Sequence, residues 1–338
     1  MSSNHALGID IAKDDFHACL LHDGKHFAVF PNQDKGFRDL LRWAESLGAP
    51  RPIIAMEATG TYSLPLADFC IQEDLTTYVL NPLLIKRYGG SRKINPNKTD
   101  QLDALLIAEY TDKHHGDQDM RPYVPDAEEV RQLRQLSRQL DSLKTQLQGQ
   151  KNARDQLPKT SAAHASKERH IAFLEEEITR VKQEADKHIA SSQELKKTHK
   201  LLLTIPGVGK ELARTTLAEL GDVGRFKHAK DVSAWAGLAP KQHSSGKSVY
   251  QEPRLKRGGN FRMRRMLYMG ACSTLQSNAW KGFVAHERGK KKEGKVLLVA
   301  IMDKLMRIIF GVIRSGTPFE ASKTFANLSS SPSQVQSL

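Results

Sequence analysis

Cysteine is scarce in this 338-residue chain. Cys19, Cys70 and Cys272 each stand singly in an apolar context. They supply neither a disulfide framework nor a Cys-x-x-Cys metal pair, so a reducing, cytoplasmic setting is expected. Long apolar runs are missing too. The best, Val296 to Met302, falls far short of the ~20 residues a membrane-spanning helix needs. Residues 1–4 lead straight into a strand pattern, so no signal peptide is expected. Acidic residues are rare in one region. Between Lys241 and Ser315 there are 17 Lys and Arg but only 4 Asp and Glu. That window alone accounts for the formal charge of +13, so the rest of the chain is neutral. A basic region joined to a neutral one points to a polyanion partner, most simply nucleic acid; the plainer reading is a soluble basic surface. The length allows two or three domains with real cores.

What is present begins with alternating and buried strand patterns. Ala6 to Ile11 reads as a strand carrying Asp10 near its end. Phe16 to Leu21 and His26 to Phe30 flank the turn pair Asp23-Gly24. A helical pattern follows at Phe37, Leu40, Leu41 and Ala44, then a strand at Ile53 to Met56 running into Glu57. Thr59-Gly60-Thr61 leads into a helix through Ala67 and Phe69, and Thr76 to Leu80 is a further strand. Three early strands followed by alternation predict an α/β domain with a mixed sheet and an antiparallel hairpin edge. The order resembles the ribonuclease-H-like fold.

The stretch from Asn97 to Ala108 predicts a helix capped by Asn97 or Thr99. Asp100 and Asp103 leave the same face of its first turn. One acid suits the positive end of the helix; two repel unless a cation lies between them. Either this is a capped surface helix, or these acids join Asp10 and Glu57. Acids beside buried strands are expensive unless paired or metal-bound. Four together could hold two divalent cations for in-line phosphoryl displacement, and oxygen-only ligands favour Mg2+ or Mn2+.

Beyond a linker at Pro122 to Asp126 the pattern becomes helical. Leu133, Leu136, Leu140, Leu143 and Leu147 form a heptad seam, resumed after Pro158 by Ile171, Leu174, Ile178 and Val181. These segments could fold back on each other or pair between chains. The narrow stripes favour self-association. Ile205-Pro206-Gly207-Val208-Gly209-Lys210 joins two apolar helices and reads as a helix-hairpin-helix. Gly207, Gly209 and Lys210 would let backbone N–H groups meet a phosphate; tight helix packing is the alternative. Next comes a polar loop with Lys241, Ser244, Ser245, Lys247, Ser248, Arg254, Lys256 and Arg257, followed by Arg262, Arg264 and Arg265 on a helix. A serine in such a loop is either a solvated turn or a nucleophile towards phosphate, with the cations stabilising developing charge.

Several motifs stand in fixed order: Gly8-Ile9-Asp10-Ile11-Ala12-Lys13, Glu57-Ala58-Thr59-Gly60-Thr61-Tyr62, Asn97-Lys98-Thr99-Asp100 with Asp103, Ile205-Pro206-Gly207-Val208-Gly209, and Gly237-Leu238-Ala239-Pro240 before Ser245-Gly246. From Leu7 to Phe319 the chain resembles the DEDD transposases of bacterial insertion sequences, IS one-ten family, relatives of the Piv DNA invertases. The resemblance implies a RuvC-like catalytic domain (1–118) with Asp10, Glu57, Asp100 and Asp103 binding Mg2+. It implies a coiled-coil segment (119–192) and a C-terminal transposase domain (193–320), before a disordered tail (321–338). It places the essential serine on Ser245 and implies DNA cut and rejoined through a covalent phosphoserine. The partners implied are donor and target DNA, a structured bridge RNA from the element, and further copies of the chain as a dimer or synaptic tetramer. The setting implied is the bacterial cytoplasm, on the nucleoid when acting. A RuvC-like structure-specific nuclease without a serine step, and a non-enzymatic nucleic-acid-binding coiled-coil protein, are the competing readings.

Overall fold

The computed structural model describes residues 5–60, 62–90, 99–117, 120–241, 254–255 and 258–325, with backbone alone at 240–241, 254–255 and 323–324. The chain divides into two compact units, Met1–Pro125 and Asp126–Leu338.

The first unit is built on a five-stranded mixed sheet. Strands β1 (Ala6–Ile11), β2 (Asp15–Leu21) and β3 (Lys25–Pro31) form an antiparallel meander. The β2–β3 turn takes positive φ at Asp23 and Gly24, the two residue types that tolerate it best. Helix α1 (Asp34–Ser46), β4 (Ile53–Glu57), α2 (Leu64–Gln72), β5 (Thr77–Leu80), α3 (Pro82–Gly90) and α4 (Asp100–His114) follow. The spatial order is β3-β2-β1-β4-β5, with β4 parallel to both β1 and β5. Both faces are covered, as a parallel centre requires. Leu7, Ile9, Phe16, Leu20, Ile54 and Met56 pack on one side with Phe37 and Leu40 of α1 and Leu66 of α2. On the other, Ile53, Ala55 and Tyr78 meet Leu106 and Ile107 of α4, and Cys19 meets Ala104 and Ala108. Burial pushes the thiols of Cys19 and Cys70 up to about 12, so both behave as small apolar side chains. All five expected strands are present, within two residues of their expected ends.

Gly8 sets how closely α4 lies on the sheet. A Cβ there would stand 2.2 Å from the Ala108 nitrogen and 2.3 Å from the Ala104 carbonyl oxygen. These are backbone atoms of a helix and cannot rotate aside.

The second unit is helical. Helices α5 (Glu128–Asp155) and α6 (Ala162–Ser191) form an antiparallel hairpin. Leu140 and Leu143 bury against Leu174, Ile178 and Val181, and the ion pairs Lys151–Glu175 (2.7 Å) and Arg154–Glu168 (2.9 Å) cross between the helices. The two stripes, expected to join two chains, pack on each other here within one chain. The short connection keeps the second stripe at high effective concentration beside the first. The hairpin also continues into the body of the unit, where Leu133 belongs to the main core.

That core gathers α7 (Gln193–Leu203), α8 (Lys210–Leu220), α9 (Ala229–Trp235), α10 (Phe261–Thr274), α11 (Lys281–Gly289) and α12 (Gly294–Ser315), and the unit also holds the two-residue strands β6 (Pro240–Lys241) and β7 (Arg254–Leu255) and the short α13 (Ala321–Thr324). Ile301, Leu305 and Ile309 of α12 are fully buried at its centre. A tail without structure was expected from residue 321. Instead α13 forms, and the Phe325 ring lies 5.3 Å from the buried Trp280 ring in an edge-to-face contact. The aromatic area gained there outweighs the short polar sequence around it. Residues 326–338 of the expected tail lie outside the described residues.

Two outcomes follow from this packing. Gly8→Val should lower stability by about 3 kcal/mol, read as a fall in the urea midpoint, because the inserted atoms meet helix backbone. Glu211 of α8 accepts hydrogen bonds from Lys144 of α5 and ion-pairs with Lys182 of α6 at 3.0 Å. Burial pushes its carboxyl up, but the two lysines outweigh burial and hold it at about 2, against an ordinary 4.5. A depressed carboxyl stabilises the fold above its unfolded pKa and loses that contribution as pH falls through the folded one. Glu211→Gln should therefore cost about 1 kcal/mol at pH 7, a figure reduced for its partial exposure. The melting temperature of the variant should also fall less steeply between pH 4.5 and 2.

Candidate active site

Strand alternation decides where the acids go. Gly8 faces α4, so Asp10, two residues on, leaves β1 on the same face. Gly8 pairs with Ala55 in the parallel β4, so Glu57, two residues beyond Ala55, ends the neighbouring strand on that face too. Asp10 is directly opposite His17 of β2. Helix α4 packs over β1, β2 and β4, with Ala104 above Gly8. Asp103 immediately precedes Ala104, and Asp100 lies one turn earlier. Thr99, whose side chain accepts from the Leu102 nitrogen at 3.3 Å, caps the helix; Asn97, the other expected cap, lies outside the described residues.

A side chain of the sheet reaches the helix start. His17 Nε2 lies 3.6 Å from an Asp100 carboxylate oxygen. Asp10, Glu57 and Asp103 are half-buried and Asp100 is exposed. Among the described residues, no group of three or more His, Cys, Asp or Glu side chains is drawn together tightly enough to hold a metal ion. Asn32 steadies the rim: its amide donates to the Ala12 carbonyl (3.0 Å) and the Tyr62 carbonyl (3.2 Å), joining the segments that follow β1 and β4. His17 was not among the residues singled out from the sequence. Its signal was there, since it shares a strand face with Cys19 and Leu21, but only the pairing register puts that face beside Asp10.

In the second unit, the turn between α7 and α8 holds Gly207 and Gly209. Gly207 has φ +98°, and a Cβ there would stand 2.3 Å from Thr274 Cγ2. The Trp280 indole N–H donates to the Pro206 carbonyl at 2.9 Å. Close packing thus requires glycine at 207, whereas the space beside Gly209 is open and Lys210 is exposed. A groove of about 870 Å³ runs between this turn, α5 and α10. Of the three arginines on α10, Arg265 pairs with Asp141, and Arg262 Nε lies 3.3 Å from the same carboxylate. Arg264 donates to the Gly258 carbonyl at 2.7 Å, so it fastens its own loop.

The exit of the basic loop is anchored on α8. Asn260 caps α10 by accepting from the Met263 nitrogen (2.9 Å), and its amide donates to Glu219 (2.8 Å). Burial raises the Glu219 carboxyl, but hydrogen bonds from Arg138 and Asn260 more than reverse this and leave it lowered. Lys241 and Arg254 pair across β6 and β7. Ser244, Ser245, Lys247, Ser248, Lys256 and Arg257 lie outside the described residues.

Comparison with known proteins accounts for both units. A DEDD-type transposase family model matches residues 7–159, and a model described as "Transposase IS116/IS110/IS902 family" matches residues 199–285. The chain is 32% identical to the pilin gene-inverting protein of Moraxella bovis, over 93% of this chain and 97% of that one. Identity and coverage are the same for its Moraxella lacunata counterpart. It is 26% identical to the transposase for insertion sequence element IS1111A of Coxiella burnetii, over 88% of this chain and 83% of the other. With near-complete coverage and both models matched in order, the chain belongs to the IS110 family of transposases.

Proposed function

We propose that this protein is a DNA recombinase that relocates or inverts a DNA segment through a covalent seryl–DNA intermediate. Asp10, Glu57, Asp100 and Asp103 would hold Mg2+ or Mn2+, Ser245 would be the nucleophile, and a structured bridge RNA from the element would select the DNA. The observation that carries the acid site is the register of β1 and β4, with Asp10 and Glu57 at adjacent strand ends on the face under the acidic first turn of α4. A divalent cation would draw these acids closer together than they stand in the structure. An all-oxygen donor set suits a hard divalent ion. That ion supplies charge neutralisation at the phosphate and at the departing oxygen.

The remaining work falls to the chain itself. Ser245 Oγ gives up its proton and bonds to phosphorus. The bond from phosphorus to the deoxyribose oxygen breaks, and that oxygen takes up a proton. One ester replaces another, so the reverse step can rejoin a different strand. Lys241, Lys247, Arg254, Lys256 and Arg257 would neutralise phosphates around Ser245. Lys210, together with Arg262 and Arg265 on exchange from Asp141, would hold the duplex or RNA backbone at the groove beside Gly207 and Gly209. Cleavage would then depend on assembly of a dimer or tetramer, in which the acids of one chain could serve Ser245 of another.

The decisive test is recovery of covalent protein–DNA adducts with the flanking RNA and both DNA partners supplied. Ser245→Ala should abolish adduct and recombination while leaving nucleic-acid binding nearly unchanged. Ser244→Ala and Ser248→Ala should remain active, and Asp10→Asn should lose cleavage at any Mg2+ concentration. Adduct formation by Ser245→Ala would remove the serine assignment. In a separate titration, replacing Lys256 and Arg257 by alanine should reduce the salt slope of duplex binding by about 0.9 for each phosphate that is no longer neutralised.

A further inference from the structure

We infer that His17 is a positioning residue of the acid cluster, holding the Asp100 carboxylate over the ends of β1 and β4. The inference rests on the reading of the four acids as a divalent-cation site. It identifies a fifth side chain, outside the acidic motif, on which the geometry of that site depends.

Asp100 is the acid least fixed by its surroundings. It is the first residue of α4, its side chain is 68% exposed, and the capping bond beside it is made by Thr99. An exposed carboxylate at a helix start samples several rotamers, and ordering it costs entropy when a cation binds. His17 is rooted differently. It lies in β2, which is paired on both sides, opposite Asp10 on β1 and Val29 on β3. Its side chain is only 22% exposed, and Nε2 is 3.6 Å from Asp100 Oδ2. Nδ1 is buried with no hydrogen-bond partner among the described residues, so the polar reach of the ring is directed through Nε2. One rigid ring thus adjoins two of the four acids, from two different elements: Asp10 by strand register and Asp100 by contact. The separation exceeds a normal hydrogen bond. It suits a partner that aims a carboxylate and shortens its contact once the site is loaded. Side chains that orient a ligating group from behind characteristically set metal affinity by 10–100-fold.

The experiment uses the full-length protein and Mn2+ alone, with binding followed by electron paramagnetic resonance of the free ion. His17→Leu keeps bulk and removes the donor; it should weaken Mn2+ binding about tenfold. His17→Gln places an amide donor at similar reach and should restore most of the loss. Metal-free melting temperatures should stay close to the parent's in both. The effect should also vanish in an Asp100→Asn background, where there is no carboxylate to aim. Parent-like Mn2+ binding by His17→Leu, an equal loss in His17→Gln, or an undiminished loss in the Asp100→Asn background would each overturn the positioning role. If Mn2+ binding by the parent does not depend on Asp10, tested with Asp10→Asn, the acid-site reading itself fails and takes this inference with it.

Discussion

The first unit depends on the approach of one helix to one strand. Backbone of α4 lies against backbone of β1 at Gly8, with room for no side chain between them. Direct contact of this kind brings the helix start down to the level of the strand ends. A larger residue would lift α4 and carry Asp100 and Asp103 away from Asp10 and Glu57. The small residues opposite, Ala104 and Ala108, are completely buried, as is Cys19 beside them. Packing of small groups and placement of acids are therefore the same constraint, because the helix that closes the core also carries half of the carboxylates.

The second unit solves a different problem. It carries the basic excess of the chain, and its helices must stay together despite that charge. It does so by setting acids against basic or amide donors at the helix junctions: Asp141 against Arg262 and Arg265, Glu211 against Lys144 and Lys182, Glu219 against Arg138 and Asn260. Asp141 ties α5 to α10, Glu211 ties α8 to α5 and α6, and Glu219 ties α8 to α5 and the start of α10. The hairpin is thereby joined to α8 and α10 by charge as well as by Leu133. This leaves Lys210 exposed at the groove, while Arg264 is spent on the loop carbonyls. The unequal freedom of neighbouring cations is a structural fact that net charge conceals.

Much of the fold could be read from residue pattern. Alternation and short apolar runs marked the five strands, Asp23-Gly24 marked the hairpin, and three-four spacing marked α5 and α6. These features are local, fixed by side-chain period and turn chemistry within a few residues. The acids were legible for the same reason, since Asp10 and Glu57 close apolar strands and Asp100 and Asp103 open a capped helix. Pattern was less decisive where the outcome depended on a distant partner. The leucine stripes of α5 and α6 carry no mark that separates an internal hairpin from a pairing of chains. Phe325 sits in a polar stretch, and the rings of Trp280 and Phe283, far away in sequence, give it a place to bury.

By itself, the sequence determined the elements, the concentration of positive charge and the ordered motifs that the IS110 family models match. Tertiary structure decided the rest. It chose which face of each strand meets α4, and so placed His17 beside Asp10 and Asp100. It also closed the helical seam on itself and divided the arginines of α10 between ion pairs and loop carbonyls. The physical reason is that period and propensity act along the chain, whereas register, close approach and charge pairing join residues tens of positions apart. Those long-range choices are selected by packing of the whole unit.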